Sequence, residues 1–374
     1  MLFKLISDKQ IRVILYILDF MSLSIGIVGL PNVGKSTLFN ILTKKSVEAA
    51  NYPFCTIDPN VGIVKVPDKR LDSLAAVSKP AKIIPTAIEF VDIAGLVAGA
   101  SKGEGLGNQF LAHIRECDAI CEVVRNFQDK NIIHVNGEVN PQADKETINL
   151  ELILADLGSI EKRLDKTRRE SKSGNKELIT QTIILEKIFQ HLEKGLAARC
   201  LEFSDEEMPF VKTLNLLTIK PIIYLLNADD LENTPELGEL DGEIIAVNVK
   251  MEEEIASLPE EEQAEYISEL GLSQSGLDKL IAASYKLLGL DTFFTTGPDE
   301  TRAWTIKRGA KAPEAAGVIH TDFIKGFIRA EVINWEQFIN AGNEAKAREQ
   351  GLIRTEGKDY VVRDGDVCNF LVNR

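Results

Sequence analysis

Lys35 and Ser36 close the run Gly29-Leu30-Pro31-Asn32-Val33-Gly34-Lys35-Ser36, which fits the phosphate-cradling pattern G-x-x-x-x-G-K-[ST]. Glycines at both ends let the backbone turn its N–H groups inward, and a helix starting there adds partial positive charge. In that chemistry Lys35 bridges the outer phosphates and the Ser36 hydroxyl ligates Mg²⁺. The flanks agree. Ile25-Gly26-Ile27-Val28 reads as a buried strand, and Thr37 to Leu42 has helical spacing. Gly29, Asn32, Val33, Gly34, Lys35, Ser36 and Thr37 are therefore the expected nucleotide-binding residues at this end of the site.

Further oxygen donors follow at the spacing of a nucleotide switch. The loop Asn51 to Asn60, rich in proline and polar residues, holds Thr56, whose hydroxyl would reach Mg²⁺ only while a third phosphate is present. An apolar strand, Ile88 to Val91, ends at Asp92-Ile93-Ala94-Gly95; there Asp92 would hold Mg²⁺ through water, and the Gly95 N–H would face the terminal phosphate. Related switch enzymes place a water-orienting glutamine after that glycine, but this chain has Leu96, which can neither accept a proton nor align water. His134, after Ile132-Ile133, is the candidate substitute; a structural surface histidine accounts for it equally well. His113 is a weaker candidate.

At the purine end, Ile222 to Leu226 leads into Asn227-Ala228-Asp229-Asp230, where guanine-specific enzymes carry N-K-x-D. Asn227 and Asp230 are the expected base readers. An aspartate at the fourth position can accept two hydrogen bonds from guanine, but Ala228 leaves the signature incomplete.

The elements that must position these groups alternate strand and helix, an α/β pattern built on the P-loop. Further strands are expected at Val61 to Val66, Ala119 to Val124 and Ile244 to Val247. From Pro141 to about Phe203 the spacing turns helical: Leu150, Ile153, Leu157, Ile160 and Leu164 recur at three and four, as do Ile184, Ile188, Leu192 and Leu196. Ser173-Gly174-Asn175 breaks the run, which predicts an inserted antiparallel helical hairpin. Its tip, Glu161 to Lys176, carries seven basic residues against three acids. That is a solvated face or, in a chain of net charge −14, a contact for RNA phosphates. Glu252 to Glu269 reads as a solvated acidic helical face. Near Leu290 a small α+β domain begins, with strands expected at Thr292 to Thr296, Arg302 to Ile306 and Val361-Val362, and Trp304 in its core. Lys307, Arg308, Lys311, Lys325 and Arg329 form a second basic surface or ordinary solvation.

The chain of 374 residues is 44% hydrophobic and 27% charged, which fits a globular protein of two or three domains. Its negative charge excludes wholesale nucleic-acid binding, leaving only a local basic patch. Five cysteines without a C-x-x-C pair suggest reduced thiols in the cytoplasm, with Cys117 and Cys121 as core residues and no zinc site. Residues 1–20 hold apolar patches too short to span a bilayer; they read as an upstream start or dispensable tail before Met21, a membrane anchor being the weaker alternative.

Taken together, these stretches resemble the YchF or Obg-like ATPase family of the TRAFAC class. The resemblance rests on Gly29 to Ser36, on Asn51 to Thr56, on Asp92 to Leu96 continuing through Gly99 to Gly105, and on Arg302-Ala303-Trp304-Thr305, His320-Thr321-Asp322-Phe323 and Gly365-Asp366. It covers nearly everything from Met21 to Arg374. It implies a Ras-like P-loop domain in 21–140 and 206–288, a coiled-coil arm in 141–205, and a C-terminal TGS domain of ubiquitin-like β-grasp fold in 289–374. It further implies Mg²⁺ at Ser36 and Thr56, His134 in place of the missing glutamine, ATP preferred over GTP, potassium stimulation involving Asn32, and ribosome binding as a monomer in translation or stress. Asp230 stands where the family has glutamate, and restores part of the guanine signature.

Overall fold

The computed structural model describes residues 23–45, 58–93, 106–135, 137–235, 237–238 and 241–373. Thr56, Gly95, Leu96 and the Gly99 to Gly105 stretch lie outside the described residues, as do residues 1–20. In chain order the described strands are β1 (Ser24–Val28), β2 (Val61–Lys65), β3 (Lys82–Ile84), β4 (Ala87–Asp92), β5 (Ala119–Asn126), β6 (Ile222–Ala228), β7 (Glu243–Val247), β8 (Leu290–Thr296), β9 (Glu300–Lys307), β10 (Phe327–Asn334), β11 (Arg354–Glu356) and β12 (Asp366–Val372). The longer helices of the first part are α1 (Lys35–Lys44), α2 (Lys69–Ser78), α3 (Leu106–Glu116), α4 (Pro141–Ser171) and α5 (Lys176–Glu193).

The chain divides into two compact units. Among the described residues, the first takes in those within 23–45, 58–62 and 89–280, the second those within 63–88 and 281–373. Six strands form a sheet in the order β2-β4-β1-β5-β6-β7, with β4, β1, β5, β6 and β7 paired in parallel. β1, β5 and β6 are almost wholly buried, as strands covered on both faces must be, and their apolar runs follow from that. The chain leaves β1 with β4 on one side and β5 on the other, so the strand order reverses around it. That reversal opens a crevice at the carboxyl ends of the strands.

α4 and α5 occupy the stretch read as a helical hairpin and pack against each other. Asn140 caps α4 by accepting from the Ala143 N–H at 3.1 Å, with Pro141 at the first helical position. Gly174, at φ +79°, lets the chain turn, and Asn175 caps α5 through the Glu177 N–H at 2.9 Å. The seam differs in detail from the periodic reading. Ile153, Ile160 and Leu164 pack against Ile184, Leu185, Ile188 and Leu192, whereas Leu150 faces outward on α4 and Leu196 lies beyond the end of α5, both exposed. Asp156, fully buried on α4, accepts from the Leu217 N–H (3.0 Å), the Thr218 N–H (2.8 Å) and the Thr218 hydroxyl (2.7 Å), which pins the arm beside β6.

The acidic stretch predicted as one solvated face is two helices, Val249–Ile255 and Glu260–Glu269, separated by Pro259. Glu252 is a correction to that reading: it is buried and accepts the Gly276 N–H at 2.6 Å.

In the second unit, the sheet order is β11-β10-β12-β8-β9-β3. β8 and β9 form a hairpin, β12 lies parallel to β8, and helix Ala312–Ile319 packs its alanines beneath Phe293, Ile306 and Val332. Trp304 lies at the margin of this core. Val361 makes only an isolated bridge to Lys311, and the strand expected there runs instead over Asp366–Val372. β3 and α2, within the segment expected over 21–140 as nucleotide domain, belong to this unit. β3 adds in parallel to β9, and α2 buries Leu71 and Leu74 against Phe294, Ala303 and Phe338. Among the described residues, no helix is long and apolar enough to cross a membrane.

Candidate nucleotide site

β1 ends at Val28 and the chain turns at once. Gly29 has φ +150°, Asn32 φ +62° and Gly34 φ +101°. Packing and conformation both demand the glycines. A Cβ on Gly29 would lie 2.5 Å from the Val123 carbonyl oxygen, and one on Gly34 would lie 2.5 Å from Asn227 Nδ2. Gly34 is the N-cap of α1 and no side chain caps that helix, so its first-turn N–H groups face the cradle without a side-chain competitor. Val33 is buried, Thr37 half-buried and Ser36 exposed at the helix start.

Lys35 is buried, and its Nζ donates to the Leu30 carbonyl at 2.6 Å, across the mouth of the loop. Burial pushes its amine down to about 8, with Asp92 opposing. Asp92, half-buried at the end of β4 and in register with Ile27, is pushed up by burial, with Lys35 opposing. Desolvation thus outweighs mutual attraction at both groups, a balance that an incoming phosphate and cation would reverse. Ser36 and Asp92 offer only oxygen donors at a helix N-terminus, a set that fits Mg²⁺ rather than a thiophilic metal.

At the other end, Asn227 is buried and bridges two loops. Its Nδ2 donates to the Val33 carbonyl at 3.0 Å, and its Oδ1 accepts from the Val249 N–H at 3.2 Å. Asp230 behaves differently from a base reader. Its exposed carboxylate accepts from Asn233 Nδ2 (2.8 Å) and from the Glu232 and Asn233 N–H groups (2.9 and 3.2 Å), an Asx-type turn whose donors hold its pKa below the usual carboxylate range. Asp229 Oδ2 accepts the Gln128 N–H at 3.0 Å, and Asn248 caps the next helix through the Met251 N–H.

The loop carrying His134 is fastened to the cradle. Asn32 Nδ2 donates to the Ile133 carbonyl at 3.1 Å. Arg125, at the end of β5 and 2% exposed, donates to the carbonyls of Phe127 (3.3 Å), Asn32 (3.4 Å) and Ile132 (3.0 Å), with its guanidinium over the Phe127 ring. His134 is buried rather than on the surface, with Nε2 2.7 Å from Asp144 Oδ2 in the first turn of α4. Beyond it, Glu122 is buried on β5 and pushed well up by that burial. Tyr224 donates to Asp241 at 2.6 Å, and Arg199 donates to the other oxygen at 2.7 Å.

The structure therefore brings Gly29, Asn32, Val33, Gly34, Lys35, Ser36, Asp92 and Asn227 around one crevice, with the His134 loop tied to it and Asp230 engaged in its own turn. Sequence reasoning missed Arg125 and Asp144. A charged residue closing the apolar run Ala119 to Val124 marks the first; the second reads only as an acid at a helix start, a position that the helix dipole already explains.

A family model described as 50S ribosome-binding GTPase matches residues 24–156, and the model YchF-GTPase_C, described as a protein of unknown function, matches residues 290–373. The chain is 54% identical over 365 residues to the Ribosome-binding ATPase YchF of Bacillus subtilis (strain 168), covering 94% of this chain and 100% of that one. It is 53% identical over 362 residues to the protein of that name from Escherichia coli O157:H7, with the same coverage. The solved Schizosaccharomyces pombe YchF GTPase superposes with a TM-score of 0.83 at 40% identity, over 94% of this chain and 98% of that one.

Proposed function

The chain belongs to the YchF family of P-loop nucleotide hydrolases, and from that premise we propose a Mg²⁺-dependent ATPase that turns over slowly and associates with ribosomes. The observation that carries the reading is the cradle itself: glycines at positive φ, an uncapped helix start and a buried, acidified Lys35. Backbone N–H groups of Gly29 to Ser36 bind the phosphates, and Lys35 neutralises charge developing on the outer ones. Ser36 and Thr56 would hold Mg²⁺, with Asp92 supporting it through water, and the bound ion would supply further charge neutralisation. Gly95 offers its N–H to the terminal phosphate. His134 positions the attacking water in place of the glutamine that Leu96 replaces. With neither a glutamine nor an arginine finger, turnover is slow.

ATP is the preferred nucleotide. Asn227 braces the base pocket, and the Asp230 carboxylate, occupied by three donors of its own turn, is poorly placed to read guanine. Asn32 takes part in potassium stimulation as well as in holding the Ile133 carbonyl. The arm, residues 141–205, contacts RNA of the large ribosomal subunit through its tip, where Lys162, Arg163, Lys166, Arg168, Arg169, Lys172 and Lys176 are all exposed. The β8–β9 hairpin, the helix after it and β12 parallel to β8 support a TGS-type β-grasp domain in 289–374. The protein acts as a cytoplasmic monomer, a switch in translation or stress.

Phosphate release from ATP tests the reading. It should require Mg²⁺ and vanish in Lys35→Ala. Release that survives chelation with unchanged rate, or that persists in the variant, would contradict it. The exposed basic tip also favours a second reading, a nucleotide-gated RNA-binding module whose hydrolysis is incidental, with GTP as its nucleotide if Asp230 leaves its turn. Ribosome association identical with ATP, ADP and no nucleotide would remove the gating.

A further inference from the structure

We propose that Asp144 is the positioning residue for His134, so that the orientation of the water-positioning ring is set by the first turn of the arm helix. This rests on the role proposed for His134. The loop from Ile132 to His134 has its backbone held at two points, Arg125 on the Ile132 carbonyl and Asn32 on the Ile133 carbonyl. Neither contact fixes the imidazole. Asp144 does so: its Oδ2 lies 2.7 Å from His134 Nε2, and both side chains are 3% exposed.

An ionised carboxylate only accepts hydrogen bonds, so Nε2 carries the proton. In the neutral ring Nδ1 is then the acceptor nitrogen. The carboxylate thereby selects one of two tautomers and one of two ring flips. A group that only filled space beside His134 would select neither. Asp144 is itself held by the helix: its N–H donates to the Asn140 carbonyl at 3.0 Å, and the cap at Asn140 fixes the first turn. α4, 31 residues in all, runs from that turn to the basic tip. One rigid element therefore carries both the group that orients His134 and the surface proposed to meet RNA.

The test is steady-state ATP hydrolysis by the full chain with Mg²⁺, alongside ATP affinity and thermal unfolding, in Asp144→Asn, Asp144→Glu, His134→Ala and the Asp144→Asn/His134→Ala double variant. Asp144→Asn keeps the shape but can present an N–H to Nε2, favouring the wrong tautomer. It should lower kcat by about tenfold or more while ATP affinity changes less than about twofold. Asp144→Glu should restore part of the loss, and the double variant should be no slower than His134→Ala. If Asp144→Asn does not fold, Asp144→Ser takes its place. The proposal is overturned if His134→Ala is slow while Asp144→Asn is as fast as the unaltered protein or faster, or if the two losses multiply. If His134→Ala keeps full turnover, the role of His134 itself fails and this inference falls with it.

Discussion

Lys35 is the residue on which the proposed phosphate binding turns, and its environment makes a pH prediction. Burial lowers its amine to about 8 in the free protein, and a bound phosphate stabilises the cation and raises it again. Between those two values the complex holds more protons than the free protein, so affinity falls as pH rises. ATP affinity should be flat below about pH 8 and then weaken by up to about tenfold per pH unit. Titrations from pH 6.5 to 9.5 read this directly, and an affinity flat to the upper limit would mean the amine is not acidified. Asp230 carries the opposite expectation. Because its carboxylate already accepts three donors within its own turn, Asp230→Asn should change the ratio of ATP to GTP affinity by less than about threefold. A larger swing would restore it as a base reader.

Elements set the geometry that these residues use. The turn between β1 and α1 tolerates no side chain at Gly34, where φ is +101° and a Cβ would meet Asn227 Nδ2. Gly34→Ala should therefore weaken nucleotide binding and cost about 1–3 kcal/mol of stability. Chemical denaturation together with nucleotide titration checks both effects. In the arm, Asp156→Ala would leave the Leu217 and Thr218 donors buried without their acceptor, which should cost about 3 kcal/mol. Most of this architecture was legible in the sequence where the signal is local. The run from Gly29 to Ser36 is contiguous, and the α4–α5 break at Ser173-Gly174-Asn175 interrupts a long periodic stretch. What stayed hidden depends on distant pairing. The addition of β3 to β9 and the packing of α2 on Phe294 join residues 63–88 to the carboxyl-terminal unit, and nothing in their own pattern announces it. The Asp144–His134 pair was hidden for a different reason: an acid in a first helical turn has a sufficient local explanation.

At the scale of the whole chain, a net charge of −14 repels nucleic acid, and the seven exposed basic residues at the arm tip stand against it. Two of them have acidic neighbours on the arm: Arg168 pairs with Glu186 at 2.9 Å, and Lys166 lies 3.9 Å from Glu170. These pairs are exposed, so they compete only weakly with phosphate. Exchanging Lys166, Arg168 and Arg169 for glutamine should weaken ribosome association and reduce the slope of log affinity against log salt by about 2. An unchanged slope would move the contact elsewhere. The second basic surface is less available, since Arg308 and Lys311 pair with Asp291 and Asp359.

Parallel titration of ATP and GTP in potassium buffer with Mg²⁺ decides whether the proposed P-loop site prefers ATP. ATP should bind at least about tenfold tighter than GTP. Equal affinities, or tighter binding of GTP, would contradict it and return Asp230 to the guanine-reading role.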